Sequence, residues 1–142
     1  MRLFYGTPLT CSPAAYDTIK THLQDTGRTP KDYDLIVTGD LGRLGSELLE
    51  ELFRQDGIEF TARHTDCGLL IFDLEQQDVH CGGSGCGCAS CVLTGYLLSG
   101  LKQGTWNNIL FCPTGALHSP TTAFQGESIP GICHAIAIST TR

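Results

Sequence analysis

The sequence predicts an α/β domain with helices layered on a mostly parallel sheet. Three observations carry that expectation. Helical and strand-like segments alternate in the order α-β-α-β-α-β-β, which implies parallel strands joined by right-handed crossovers. Leu35-Ile36-Val37 and Ile109-Leu110-Phe111 are short, continuous apolar runs, as strands buried on both faces require. Between them a glycine–cysteine loop, residues 80–91, opens directly into an apolar helix. The chain of 142 residues reads as one domain over 1–142, long enough to bury roughly 70% of its unfolded surface.

In chain order, residues 1–11 read as irregular. Ser12-Pro13 then supplies a hydroxyl cap and a proline for the first helical turn. Ala15, Ile19 and Leu23 form an i, i+4, i+8 stripe, and Gly27 closes the helix. Thr29-Pro30-Lys31-Asp32 turns the chain into the Leu35–Val37 strand, which ends in Thr38-Gly39-Asp40-Leu41-Gly42. Ser46 reads as the cap of a second helix, with Leu48, Leu49, Leu52 and Phe53 on its buried face and Gly57 as its stop. A second strand is expected around 68–72. After the glycine–cysteine loop comes a helix carrying Val92, Leu93, Tyr96, Leu97 and Leu101. Pro113 stops the Ile109–Phe111 strand, 114–130 reads as a long loop, and 132–138 alternates as a final strand with His134 beside the isoleucines.

Composition excludes several classes. Nine basic against 15 acidic residues argues against nucleic acid, which needs clustered Lys and Arg. No apolar run approaches the ~20 residues of a membrane span, and Met1–Tyr5 does not read as a signal peptide. Without secretion, the eight cysteines read as reduced thiols in a cytoplasmic protein.

The loop cysteines have the spacing C-x4-C-x-C-x2-C. Only Cys88 and Cys91 have common metal-ligand spacing, and they fall on one helical turn, so neither a metal nor another cofactor is expected. Two readings stay open: cysteine as a small residue beside glycines, or Cys86 or Cys88 as a nucleophile at a helix start, with His64, His80, His118 or His134 as base. Cys88 breaks a dinucleotide fingerprint, and Cys86 breaks a nucleophile elbow. Asp40 ends a parallel strand, where open sheets place ligand groups, or is a solvated turn residue. Glu127 and Ser128 lie in the long loop, where functional residues concentrate.

Several segments together resemble one family. They are Ala14-Ala15-Tyr16-Asp17-Thr18-Ile19-Lys20, Asp32-Tyr33-Asp34-Leu35-Ile36-Val37-Thr38-Gly39-Asp40-Leu41, His64-Thr65-Asp66-Cys67-Gly68-Leu69 and Gly82-Gly83-Ser84-Gly85-Cys86. Thr114-Gly115-Ala116-Leu117-His118-Ser119-Pro120 and Glu127-Ser128-Ile129-Pro130-Gly131-Ile132-Cys133-His134 complete the match. They resemble the stage V sporulation protein AD family, of thiolase-like fold, over about residues 12–138 and its C-terminal part only.

The resemblance implies a thiolase-like half with a mostly parallel sheet and an antiparallel last strand. It implies a nucleophile-bearing first half lying elsewhere, and no acid–base histidine or asparagine at Thr38–Leu41 or Gly82–Cys86, hence no catalysis. It implies binding or uptake of a small anion, dipicolinic acid, into the forming spore. Asp40, Gly83, Ser84, Gly85, Cys86, Glu127, Ser128 and His134 are the expected ligand-binding residues. Gly126 stands where the family pattern has a lysine. Implied partners are sporulation proteins of the same operon, membrane proteins among them, and either the missing half or a second copy. The implied location is the forespore cytoplasm, or its inner-membrane surface. The alternatives are acyl transfer through Cys86 or Cys88, and an interaction module completing a split fold.

Overall fold

The computed structural model describes residues 6–117 and 119–140. The expectations for residues 1–5 and for His118 fall outside them. Four strands form the main sheet in the order β2-β1-β3-β6: β1 (Leu35–Thr38), β2 (His64–Asp66), β3 (Asn108–Cys112) and β6 (Ile136–Ser139). β1 is parallel to both β2 and β3, and β6 pairs antiparallel with β3. β4 (Thr114–Ala116) and β5 (Gly131–Cys133) make a separate antiparallel pair.

Residue parity along the strands divides the core in two. Ile36, Leu110 and Cys112 pack with Cys11, Ala15, Ile19 and Leu23 of α1 (Gly6–Thr26) and with Leu49 and Phe53 of α2 (Gly42–Gln55). Val37, Ile109 and Phe111 meet Cys88, Val92, Leu97 and Leu101 on the other face. Those last four lie on one helical rod: α4 (Cys88–Val92), a π-helical turn (Leu93–Leu97) and α5 (Leu98–Gln103). The sheet is therefore covered on both faces, as parallel strands require.

Several sequence expectations are corrected. α1 starts at Gly6, not at Ser12, and carries Pro13 inside it. The Ser12 hydroxyl donates to Gly45 O of α2 at 2.8 Å, tying two helices instead of capping one. Burial of Cys11 extends the Ala15–Ile19–Leu23 stripe back by one turn. α2 likewise begins four residues before Ser46, whose buried hydroxyl has no hydrogen-bond partner among the described residues. The second strand is His64–Asp66. Cys67–Leu70 is a helical turn, α3, because the Asp66 carboxylate accepts from Gly68 N–H at 2.9 Å and turns the chain.

The 114–130 stretch is not one loop: it contains β4 and a short helix, α6 (Pro120–Phe124). The alternating run 132–138 is not one strand. Cys133 pairs with Thr114 in the small sheet and Ile136 with Phe111 in the large one, so the chain changes sheets at His134–Ala135. Tyr96 is not in the core. The π turn inserts one residue per turn, so Val92 is followed inward by Leu97, five residues on, and then by Leu101. Leu97 is fully buried, whereas Tyr96 is 51% exposed and lies edge-on to Trp106.

This register has a direct test. Leu97→Ala should lower unfolding stability by about 2–5 kcal/mol and Tyr96→Ala by about 1 kcal/mol or less. Urea titrations of both variants check it; the reverse order would mean a regular α-helical register.

Candidate functional site

The strand order reverses at β1. From there α2 leads to β2 on one side, and the α4–α5 rod leads to β3 on the other. In open α/β sheets such a switch leaves a crevice beyond the carboxyl ends of the two diverging strands. Here those ends are β1, followed by Gly39-Asp40-Leu41, and β3, followed by Pro113-Thr114. The two segments touch. Thr114 Oγ1 donates to Asp40 Oδ1 at 2.9 Å and accepts from Asp40 N–H at 3.2 Å. The glycine loop closes the third side, with Ser84 Oγ and Gly85 N–H donating to Asp40 Oδ2 at 3.3 and 3.2 Å. Asp40, Ser84 and Gly85, three of the residues singled out in the sequence, are thus brought together.

The remaining expected residues are placed differently. Gly83 serves structure: its N–H donates to Gly68 O at 2.7 Å, and the Phe72 ring lies against it. Cys86 is exposed, and Cys88 is buried with its thiol on Gly39 O at 3.7 Å. His134 is exposed, and its backbone N–H donates to Pro113 O at 3.2 Å. Glu127 and Ser128 are exposed, and no hydrogen bond joins either to Asp40.

What sequence reasoning missed is the carboxylate beneath the site. Asp66 is fully buried. Its Oδ1 accepts from Gly42 and Gly68 N–H, both at 2.9 Å. Its Oδ2 accepts from Thr38 Oγ1 at 2.7 Å and Leu41 N–H at 3.1 Å. One side chain therefore fixes the start of α2, the start of α3 and the end of β1. The glycine loop hangs from the same points, through Gly83 N–H to Gly68 O and through Arg43 N–H to Cys81 O, both 2.7 Å. Gly42 has to be glycine: its φ is +64°, and a Cβ would sit 2.6 Å from Cys81 O. A Cβ at Gly68 would strike Gly83 O. The signal was present in Asp66 two residues before Gly68, an Asx cap pattern, and in Thr114, the first hydroxyl after the Pro113 stop.

A second buried polar chain abuts this hub. His64, with a side chain 1% exposed, places Nε2 3.0 Å from Thr38 Oγ1 and Nδ1 2.9 Å from Glu50 Oε1. That histidine contact, ahead of the opposing effect of burial, holds the Glu50 carboxyl below its ordinary value.

The buried thiols around the site are held in the protonated form. Burial, then the charges of Asp66 and Asp40, push Cys88 up to about 11. Burial and then Asp40 push Cys11 up to about 11. Burial, reinforced first by Asp66, raises Cys67 further still. Among the described residues, no group of His, Cys, Asp and Glu is placed to hold a metal ion. No described helix is long and apolar enough to cross a membrane.

Fold and site define an open α/β domain that gathers the polar groups of three loops at its strand-order switch point. The chain belongs to the stage V sporulation protein AD family, whose model matches residues 7–139. It is 46% identical over 125 residues to the stage V sporulation protein AD of Bacillus subtilis (strain 168), a match covering 88% of this chain and 37% of that protein.

Two outcomes follow from the buried groups. Asp66→Asn should cost at least about 3 kcal/mol, since hydrogen bonds to a charged group contribute about 1.5–3 kcal/mol each and one oxygen loses two of them. Equilibrium unfolding of the variant measures this. Glu50 has a folded pKa depressed below its ordinary 4.5, so its contribution is present above that pH and is lost as pH falls through the depressed value. The stability gap between the parent protein and Glu50→Gln should therefore shrink as pH falls below about 4.5. Paired unfolding curves across pH 3–7 read the gap.

Proposed function

We propose that this chain is a non-catalytic, thiolase-like half that serves spore formation by binding dipicolinic acid, a small pyridine dicarboxylate. The observation that carries the reading is the meeting of three loops at the strand switch. There a hydroxyl from each of Thr114 and Ser84 and the Gly85 N–H all point at one carboxylate-sized position. Hydroxyl and backbone N–H donors at the carboxyl edge of a sheet suit a carboxylate ligand without requiring a basic side chain. The partly exposed Phe72 ring beside Gly83 offers an apolar surface for an aromatic ligand at the same loop. Membership of a sporulation family supports the biological setting.

The thiols argue against the competing reading, acyl transfer. A cysteine nucleophile acts as thiolate, and the three thiols that feel the Asp40 charge are all held protonated at neutral pH by burial. Cys86 is exposed but has no hydrogen-bonded histidine or carboxylate among the described residues.

The chain spans 37% of the length of its Bacillus relative. It also exposes Leu117, Ile132, Ile136 and Phe124 at 48–91%. This exposure supports an interaction role, in which a companion α/β surface covers these side chains. Work beside membrane proteins of the same operon, on the forespore side of the inner membrane, belongs to the same proposal.

Two measurements check this. Titration calorimetry with dipicolinate should show saturable heat and a raised melting temperature; silence at millimolar ligand would end the binding reading for this chain. Iodoacetamide at pH 7.5 should label Cys81, Cys86 and Cys91 well before Cys88, and rapid selective alkylation of Cys88 would restore the acyl-transfer reading.

A further inference from the structure

The donors that would receive a ligand carboxylate already hold one. A carboxylate only accepts hydrogen bonds, and Asp40 supplies that acceptor to Thr114, Ser84 and Gly85. Its side chain thereby shows which chemical group the three loops fit.

The grip is uneven. Thr114 Oγ1 holds Oδ1 at 2.9 Å, the shortest of the three contacts and within the ordinary O–H···O range of about 2.5–3.0 Å. The two loop donors reach Oδ2 only at 3.2 and 3.3 Å, and both Ser84 and Gly85 are exposed. Asp40 itself is only partly buried, so the loop donors lie at the solvent side of the carboxylate. Asp66 shows the contrasting case: fully buried, with four donors at 2.7–3.1 Å, it cannot be exchanged without dismantling the fold. Asp40 can release Ser84 and Gly85 while keeping Thr114.

We infer that Asp40 is a resident anion, filling the glycine-loop cradle in the free protein and yielding it to an anionic ligand. It thereby sets the affinity and charge selectivity of the site. This rests on the carboxylate-binding reading above. An entering anion has to displace an internal competitor and overcome its charge.

The test uses the whole chain and its Asp40→Asn variant, which keeps an acceptor for Thr114 but removes the charge. Both are titrated with dipicolinate and with inorganic phosphate at fixed pH and ionic strength, and Gly85 amide exchange is followed without ligand. The variant should bind at least one anion tenfold or more tightly, and its Gly85 amide should exchange faster. Adding Ser84→Ala to the variant should abolish the gain. Unchanged or weaker binding of both anions, unaltered Gly85 exchange, or a gain that survives Ser84→Ala would each overturn the inference. A gain for phosphate with no dipicolinate heat from either protein would uphold it while removing the dipicolinate reading.

Discussion

One buried carboxylate organises the working end of this protein. Asp66 sits at the end of β2 in register with Thr38 of β1. From there it reaches backbone N–H groups on either side: Leu41 and Gly42 at the head of α2, and Gly68 at the head of α3. The first N–H groups of a helix have no partner within it and carry partial positive charge. A buried anion placed between two helix starts satisfies both sets at once, and its own desolvation is offset by four charge-assisted bonds. The glycines around it follow from that choice. Gly42 and Gly68 bring backbone N–H groups to the carboxylate, and their missing side chains let the Cys81–Gly83 backbone lie directly on top.

How much of this was legible in the sequence depended on whether a residue's role was local. β1 and β3 were legible because strands buried on both faces need continuous apolar runs, and Leu35–Val37 and Ile109–Phe111 supply them. β2 was not, because its three residues, His64, Thr65 and Asp66, are polar. They form a strand only because β1 lies alongside and their side chains bond to Thr38 and Glu50. The π turn was invisible because a five-residue step between buried positions reads as an ordinary helix with one misplaced aromatic. The split of 132–138 was hidden by an alternation that continues unbroken through a change of sheet. At the site, Asp40 was legible from its place after a strand, and Ser84 and Gly85 from the loop's composition. Their joining through Thr114 was not, since it depends on a contact spanning 74 positions of chain.

The cysteines show the same division. The sequence left open whether the thiols of residues 81–91 bind, react or merely fit. In the fold Cys88 fits: it is packed with Val37, Cys67 and Val92, and its thiol points at a backbone carbonyl. Cys11, Cys112 and Cys133 do the same on the opposite face. A small, weakly polar side chain suits places where helices and loops approach closely, and burial, with Asp66 and Asp40 nearby, keeps the Cys67 and Cys88 thiols protonated. Burial does most of this, and the carboxylates that hold the loops together add to it.

Asp40 and Asp66 are the same residue type, one bonded to the glycine loop directly and the other to the Leu41–Gly42 and Gly68 backbone on which that loop rests, yet their situations are opposed. Asp66 has every oxygen position used and no access to water, so it acts as a fixed internal charge. Asp40 is only partly buried, with one bond at 2.9 Å and two to exposed loop residues at 3.2 and 3.3 Å. A site built this way separates its two requirements. The buried carboxylate keeps the loop's backbone in place whatever occupies the crevice, and the partly buried one decides how readily the loop's donors are given up. Had a single carboxylate done both, freeing the donors would have meant unpinning α2 and α3 as well.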